Sequence, residues 1–546
     1  MKTLSLTFIF LSIGFAGFSQ HIIQNNDASI TILPAGISSK RQLNNNPNNV
    51  SIGQDALKLN VNSQNNTAVG YKALKNHQGN GNADESNSYN FSGNSAFGSL
   101  SLENDATGVL NSAFGFGALN ANQIGFSNSG FGAFALKKNI SGNWNSAFGS
   151  YALNSNLTGT SNQAFGTYSL QNLADGNGNS AFGFSALSDG TSFNNNSAFG
   201  NNTLQHTITG SRNVAVGNSA MLLNESGSDN VAVGTAAAFH DNGEKNVILG
   251  DSARFNGSSG NENVALGYKS LFNNAAGYNN TAVGSSSQSV GIGGTGNTSL
   301  GYSSLYSNNS GNYNIAIGVG SMGTHSSGSY NIAIGRNAME NLTVSDYNIV
   351  IGNTGAASLN GNHQLLIENS DSTNLLIVGD FIKNRVGINR LKTDLDTSPA
   401  TFQVNGDASK NTAGNWLSHS DKRLKTDINY LNSQLILEKV IAMKGVTYKW
   451  NDTKTGTNRP KETQYGFIAQ DIQGVFPEKI QVDKNGYLMA AYGDFDPMLV
   501  EAIKALNQKI ELLEKENQQL KSYNSDFSKR IEKIEAILHL KANEKL

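Results

Sequence analysis

The chain has 546 residues, a net charge of -2, 14% charged residues, 59 glycines and no cysteine. That length is too great for one ordinary compact domain; the near-neutral balance supplies no basic field for nucleic acid; and the missing thiols exclude both disulfide staples and a lipid-modified cysteine. A composition rich in Asn, Ser and Gly fits either a disordered tract or a turn-rich β-repeat, and periodicity decides between them.

At the N-terminus, Lys2 precedes an apolar stretch from Leu4 to Phe15, and Gly17 and Ser19 supply the small residues of a cleavage site. This predicts a secretory signal peptide over 1–20 and a secreted, extracellular or cell-surface protein. An N-terminal anchor is the alternative, but the run is shorter than the ~20 residues a spanning helix requires. No later stretch is apolar for long enough, so no transmembrane segment is expected after signal removal. Residues 21–48 are read as an N-terminal extension.

Residues 49–352 repeat with a period of 17. The first asparagines fall at 94, 111, 128, 145, 162, 179, 196, 213 and 230, and after one 16-residue step at 246, 263, 280, 297, 314, 331 and 348. Two earlier copies, at Asn49 and Asn66, precede an insertion around Asn76 to Asn90. A disordered tract has no reason to hold that phase. In each unit, the stretch exemplified by Asn213 to Gly217 suits a short strand of β-favouring residues. The glycine permits a sharp turn, an Ala-Leu pair suits a second packed segment, and runs such as Asn308 to Asn312 supply the return turn. One coil per 17 residues predicts a β-roll or β-solenoid. Asn at one place in every coil predicts a stacked side-chain ladder. Val214 and Val216 point one way and Ala215 the other, and strands apolar on both faces are usually buried on both. Partner chains are the simplest cover for the outer face; a monomer with one thick core is the alternative.

The unit Asn-x-Ala-hydrophobic-Gly-x-x-Ala-Leu, seen at Asn66 to Leu74 and Asn145 to Leu153, resembles the head repeats of trimeric autotransporter adhesins. The 17-residue period is longer than that family's usual unit. No membrane-anchoring β-barrel is read at the C-terminus, so the family's secretion route is not carried over. Residues 353–415 read as a β neck or linker of short strands, around Asn374 to Phe381, Asn384 to Asn389 and Thr401 to Gly406. They resemble the neck before the terminal domain of many phage tail fibres.

Residues 416–498 carry the chemistry. Ser420-Asp421-Lys422-Arg423-Leu424-Lys425, then Tyr448 to Trp450, Tyr465 to Gln470 and Val475 to Glu478, resemble the intramolecular chaperone domain of phage tailspikes and endosialidases, the S74 peptidase family. A serine hydroxyl needs a base to take its proton, and a lysine serves only when neutral. The resemblance implies Ser420 as nucleophile on the bond before it, Lys425 as base, and His419–Ser420 as the cleavage site, with Asp421 and Arg423 in supporting roles. The alternative is an inert surface turn on a domain that only chaperones. His419 is read as a solvated residue with no catalytic part.

From Leu499 to the C-terminus at 546 the apolar spacing alternates four and three: Leu499, Ile503, Leu506, Ile510, Leu513, Asn517, Leu520, Asn524, Phe527, Ile531, Ile534 and Leu538. This predicts a coiled-coil helix; one amphipathic helix packed on its own domain is the alternative. Ile at a with Leu at d leans towards two strands, and Asn517 and Asn524 at a positions can select register and oligomer state. The family resemblance implies a homotrimer. No metal-ligand cluster and no phosphate loop is present, so no cofactor or metal is expected.

The expected fold is therefore mainly β: a 17-residue-repeat solenoid, a β neck, an α+β chaperone domain and a long coiled-coil helix. The expected function is a trimeric fibre or adhesin with a cell-surface or glycan target. Its C-terminal domain would direct assembly and act once in cis as a self-processing serine endopeptidase. A non-cleaving structural surface protein is the alternative. A β-solenoid enzyme on polysaccharide is disfavoured, because the repeats offer mostly Asn, Ser, Gly and Ala.

Overall fold

A computed structural model describes residues 49–60, 63–79, 92–340, 343–353, 361–369, 375–391, 395, 401–404, 421–451, 461–483, 486–491 and 495–543. It also places strands Ile22–Gln24 and Ile30–Ile32, which pair antiparallel. The signal-peptide stretch 1–20, His419 and Ser420 lie outside the described residues. The chain divides into two units, Met1–Ser372 and Thr373–Leu546.

The first unit is a β-solenoid. Nineteen short strands, from Val50–Ile52 to Gln364–Ile367, follow one another along the chain. Each pairs in parallel with the next, as Val214–Val216 does with Val231–Val233. The asparagine ladder forms as the spacing predicts. Asn230 N–H donates to Asn213 Oδ1 at 3.0 Å, and Asn230 Nδ2 donates to the Gly243 carbonyl at 2.8 Å. Asn213 and Asn230 are essentially fully buried. Every coil thus satisfies its own amide through its neighbour, which a polar interior requires.

The strand's middle alanine, such as Ala215, is fully buried, as are Ala220 and Met221 of the second segment. That segment packs inward as expected but is not extended: Ser219 and Met221 sit at φ 55° and 52°. Left-handed conformation costs an L-residue roughly 1–2 kcal/mol. Coil-to-coil bonds hold it, including Met221 N–H to the Ala237 carbonyl at 2.9 Å. Gly217, at φ 133°, is a second constraint: a Cβ there would lie 2.4 Å from the Gly234 carbonyl oxygen, so no other residue fits.

The outer strand positions remain uncovered in the single chain. Val214 is 39% exposed and Val216 37%. Towards the N-terminus the same column holds Phe97, Phe114, Phe131, Phe148, Phe165, Phe182 and Phe199, with neighbouring rings stacked at 4.6–4.9 Å. That interval is the spacing of adjacent strands.

The stack runs one coil past Gly352, where the asparagine pattern ends. Strand Gln364–Ile367 pairs with Ile349–Ile351, and Gln364 takes the asparagine's place: its N–H donates to Asn348 Oδ1 at 2.9 Å. The longer amide side chain breaks the sequence pattern without breaking the ladder.

In the second unit, Leu375–Asp380 pairs antiparallel with Arg385–Arg390, which pairs in parallel with Phe402–Val404. These are the strands read as a neck. Farther on, helix Ser433–Ala442 is capped by Asn432, whose Oδ1 accepts from Leu435 N–H at 3.0 Å. It packs on the start of the C-terminal helix, Asp496–Asn543, 48 residues long. That helix begins ahead of Leu499, with Pro497 in its first turn, a place where the missing N–H costs nothing. A small core of Ile436, Leu437, Ile472, Phe476, Phe495, Ala502 and Ala505 holds these pieces together. No helix among the described residues is long and apolar enough to cross a membrane.

Candidate functional site

The motif after Ser420 folds as a capped turn. Asp421 stands at the N-cap of a short 3-10 helix, Lys422–Leu424, and its Oδ1 accepts from Arg423 N–H at 2.8 Å. The Arg423 guanidinium closes back on the same carboxylate, Nη2 donating to Oδ2 at 2.6 Å and Nε to Oδ1 at 3.0 Å. The guanidinium, with the Arg423 N–H, holds the Asp421 carboxyl below the usual carboxylate range. The pair locks the turn directly after Ser420, which suits an orienting part.

Lys425 closes the turn: its N–H donates to the Lys422 carbonyl at 3.2 Å and its backbone is extended. Its side chain is exposed in the single chain. Of the site read from sequence, the structure therefore places Asp421, Arg423 and Lys425 on one short segment. Ser420 and His419 fall outside the described residues, so their geometry is not part of it.

Elsewhere in the same module, and at Leu424 within the turn, apolar side chains stand without cover. Leu424 is exposed, as are Ile428, Leu431, Ile441 and Tyr465, and Tyr430 is 96% exposed. Tyr430 and Leu431 border a shallow groove whose other wall is Pro497 and Val500 of the C-terminal helix. Along that helix, seam residues Ile510, Leu513, Leu520, Ile531 and Leu538 are all exposed. Open apolar groups in that number are the kind of surface that partner chains cover.

Residues 420–481 match the family Peptidase_S74, chaperone of endosialidase. No curated protein matches the chain. A Peptidase_S74 domain implies a trimer-assembly role, acting here on the β-solenoid that precedes it. Within the Peptidase_S74 segment, Phe467 borders the small core and Phe476 is buried in it. Two of the motifs read from sequence, Tyr465 to Gln470 and Val475 to Glu478, are thus partly packing motifs. The uncovered side chains around Tyr430 gave no sequence signal, since a lone apolar residue in a turn looks the same whether buried or open.

Proposed function

We propose that three chains associate through the Peptidase_S74 module and its helix, align their β-solenoids, and are then cut once at His419–Ser420. The observation that carries this reading is the exposed heptad seam on a 48-residue helix. An isolated helix with that much open apolar surface gains most of its stability only when partners bury it. The uncovered Val214 and Val216 columns of the solenoid support the same partners.

Assembly also supplies a reason for timing. A lysine is a general base only in its neutral form, and burial favours that form. Lys425 is exposed in the single chain; partner chains closing over the open Leu424 and Tyr430 would bury it. Cleavage would then follow trimer formation. The Ser420 oxygen attacks the His419 carbonyl carbon as its proton passes to Lys425; the C–N bond then breaks, Lys425 returns the proton to the Ser420 amine, and His419 is left as an ester on the Ser420 oxygen. Water hydrolyses that ester, freeing the His419 carboxylate and the Ser420 hydroxyl. Release of 420–546 would make the mature fold kinetically persistent, since the template is gone. The signal-peptide reading supports an extracellular setting and the repeat resemblance an adhesin-like role.

Expression of the full chain beside Ser420→Ala and Lys425→Ala tests the chemistry on a denaturing gel. The native chain is expected to give a fragment whose N-terminal residue is Ser420, and both variants to stay intact. A native chain that stays full length refutes cleavage and leaves a chaperone that never cuts.

A further inference from the structure

Among the described residues, from His77 to His325, a second buried column lies eleven residues after the ladder asparagine. In three successive coils its occupants are neutral amides that bond from coil to coil: Asn139 Nδ2 donates to Asn122 Oδ1, and Asn156 Nδ2 to Asn139 Oδ1, both at 2.7 Å. The coil that opens at Asn230 departs from this. Its column residue is Asp241, and the turn from there to the next ladder asparagine, Asn246, is one residue shorter than the turn from Asn224 to Asn230.

The next coil departs in a complementary way. Its column position is Gly257, and Arg254 replaces the leucine of the Ala-Leu pair. The guanidinium occupies the space that glycine leaves: a Cβ at Gly257 would lie 2.6 Å from Arg254 Nε. Arg254 and Asp241 are both fully buried. Nε donates to Asp241 Oδ2 at 2.7 Å, and Nη2 to Asp241 Oδ1 at 3.3 Å and the Gly260 carbonyl at 2.8 Å. Nη1 reaches Asn274 Oδ1, one coil further, at 3.2 Å.

Near-identical coils invite mis-stacking in which one coil is left out. The stack already accommodates extra chain between neighbours: strands Thr67–Val69 and Ser95–Phe97 pair directly although Asn66 and Asn94 stand 28 residues apart. Closing a loop of one coil adds little entropy cost. If the coil 246–262 were excluded, Val231–Val233 would meet Val264–Leu266, which has the same Val-Ala-aliphatic pattern. The strands discriminate poorly between the two partners.

We propose that Asp241 and Arg254 are a register key that makes the coils opening at Asn230 and Asn246 obligatory neighbours. Skipping the coil after Asp241, or the coil before Arg254, leaves one charge unpaired in a dry core, among the costliest defects a fold can carry. A neutral Asn and Leu at these positions would penalise neither error.

The chain has no cysteine, so engineered pairs report stacking without background. Val233 and Leu249 are register partners; Val233 and Leu266 become partners only if the coil between them is excluded, and adjacent-strand Cα atoms lie within disulfide reach. Full chains carrying V233C/L249C or V233C/L266C are refolded under oxidising conditions, and intrachain disulfides are separated from interchain ones by mass. In the native background only the first pair is expected to crosslink. In the neutral background D241N/R254L/G257N, the solenoid is expected to keep its unfolding midpoint while the second pair becomes crosslinked in a measurable fraction. R254L alone is expected to lower the midpoint by stranding Asp241. The key is refuted if the neutral background crosslinks the second pair no more than the native one, or if R254L leaves the midpoint unchanged. A neutral triple variant that fails to fold also refutes it, because the pair would then be a stabiliser and not a selector.

Discussion

Two buried columns set the phase of the solenoid residue by residue. In the first, an asparagine accepts from the next coil's N–H and in most coils donates to a glycine carbonyl, as Asn213 does to Gly227 at 2.8 Å. Loss of one such side chain would orphan a buried N–H, at roughly 1–3 kcal/mol. In the second column Asp105 sits fully buried, with His77 Nδ1 at 2.6 Å and Asn122 Nδ2 at 2.5 Å. Burial pushes the Asp105 carboxyl up, and the bonds to His77 and Asn122 only partly oppose it. The folded state therefore favours the protonated acid. Its contribution is complete below the ordinary carboxylate range and is lost as pH rises through the raised value. Amide exchange of the coils around Asp105 should accordingly quicken from about pH 4 upward, beyond the intrinsic pH effect seen in the later coils. Asp105→Asn, which continues the amide column, should remove the excess; equal excess in both proteins would contradict this origin. The first column was legible in the sequence because asparagine recurs at every coil. The second was not, since its places are held by residues as different as Asp105, Asn122, Leu173, Thr207 and Asp241, and Arg254 enters it from another position.

The elements follow from spacing, and so do the gaps in what spacing foretold. The 17-residue period marked the strands, but the last one escaped because Gln364 stands where an asparagine was sought. The heptad seam marked the C-terminal helix but not its start, since apolar spacing carries no record of a first turn built on Asp496 and Pro497. The helix also explains what the module lacks. Leu513 is 50% exposed in the single chain, so Leu513→Asp there would change stability by less than about 0.5 kcal/mol. Inside an assembled seam the same change buries a carboxylate and should cost about 3 kcal/mol per chain. Circular dichroism of the S420A chain with and without L513D separates these cases. Loss of helical signal at matched concentration is expected, whereas superimposable spectra and melts would mean that the seam faces water.

At the scale of the whole molecule, both units leave apolar surface open in a single chain: the outer valine and phenylalanine columns of the solenoid, and the seam and turn of the Peptidase_S74 module. One symmetric association can cover both, and a chaperone domain is the expected place for it to begin. The motifs from Ser420 to Glu478 made that domain readable in the sequence, because they combine packing residues with a polar turn at set spacing. The proposed dyad was read from Ser420 and Lys425 alone, and of the two only Lys425 lies among the described residues. The most direct test is the mass in solution of the intact S420A chain at micromolar concentration, by sedimentation equilibrium or native mass spectrometry. Three chain masses are predicted, falling to one when L513D is added; a single chain mass for S420A itself would contradict assembly through this module.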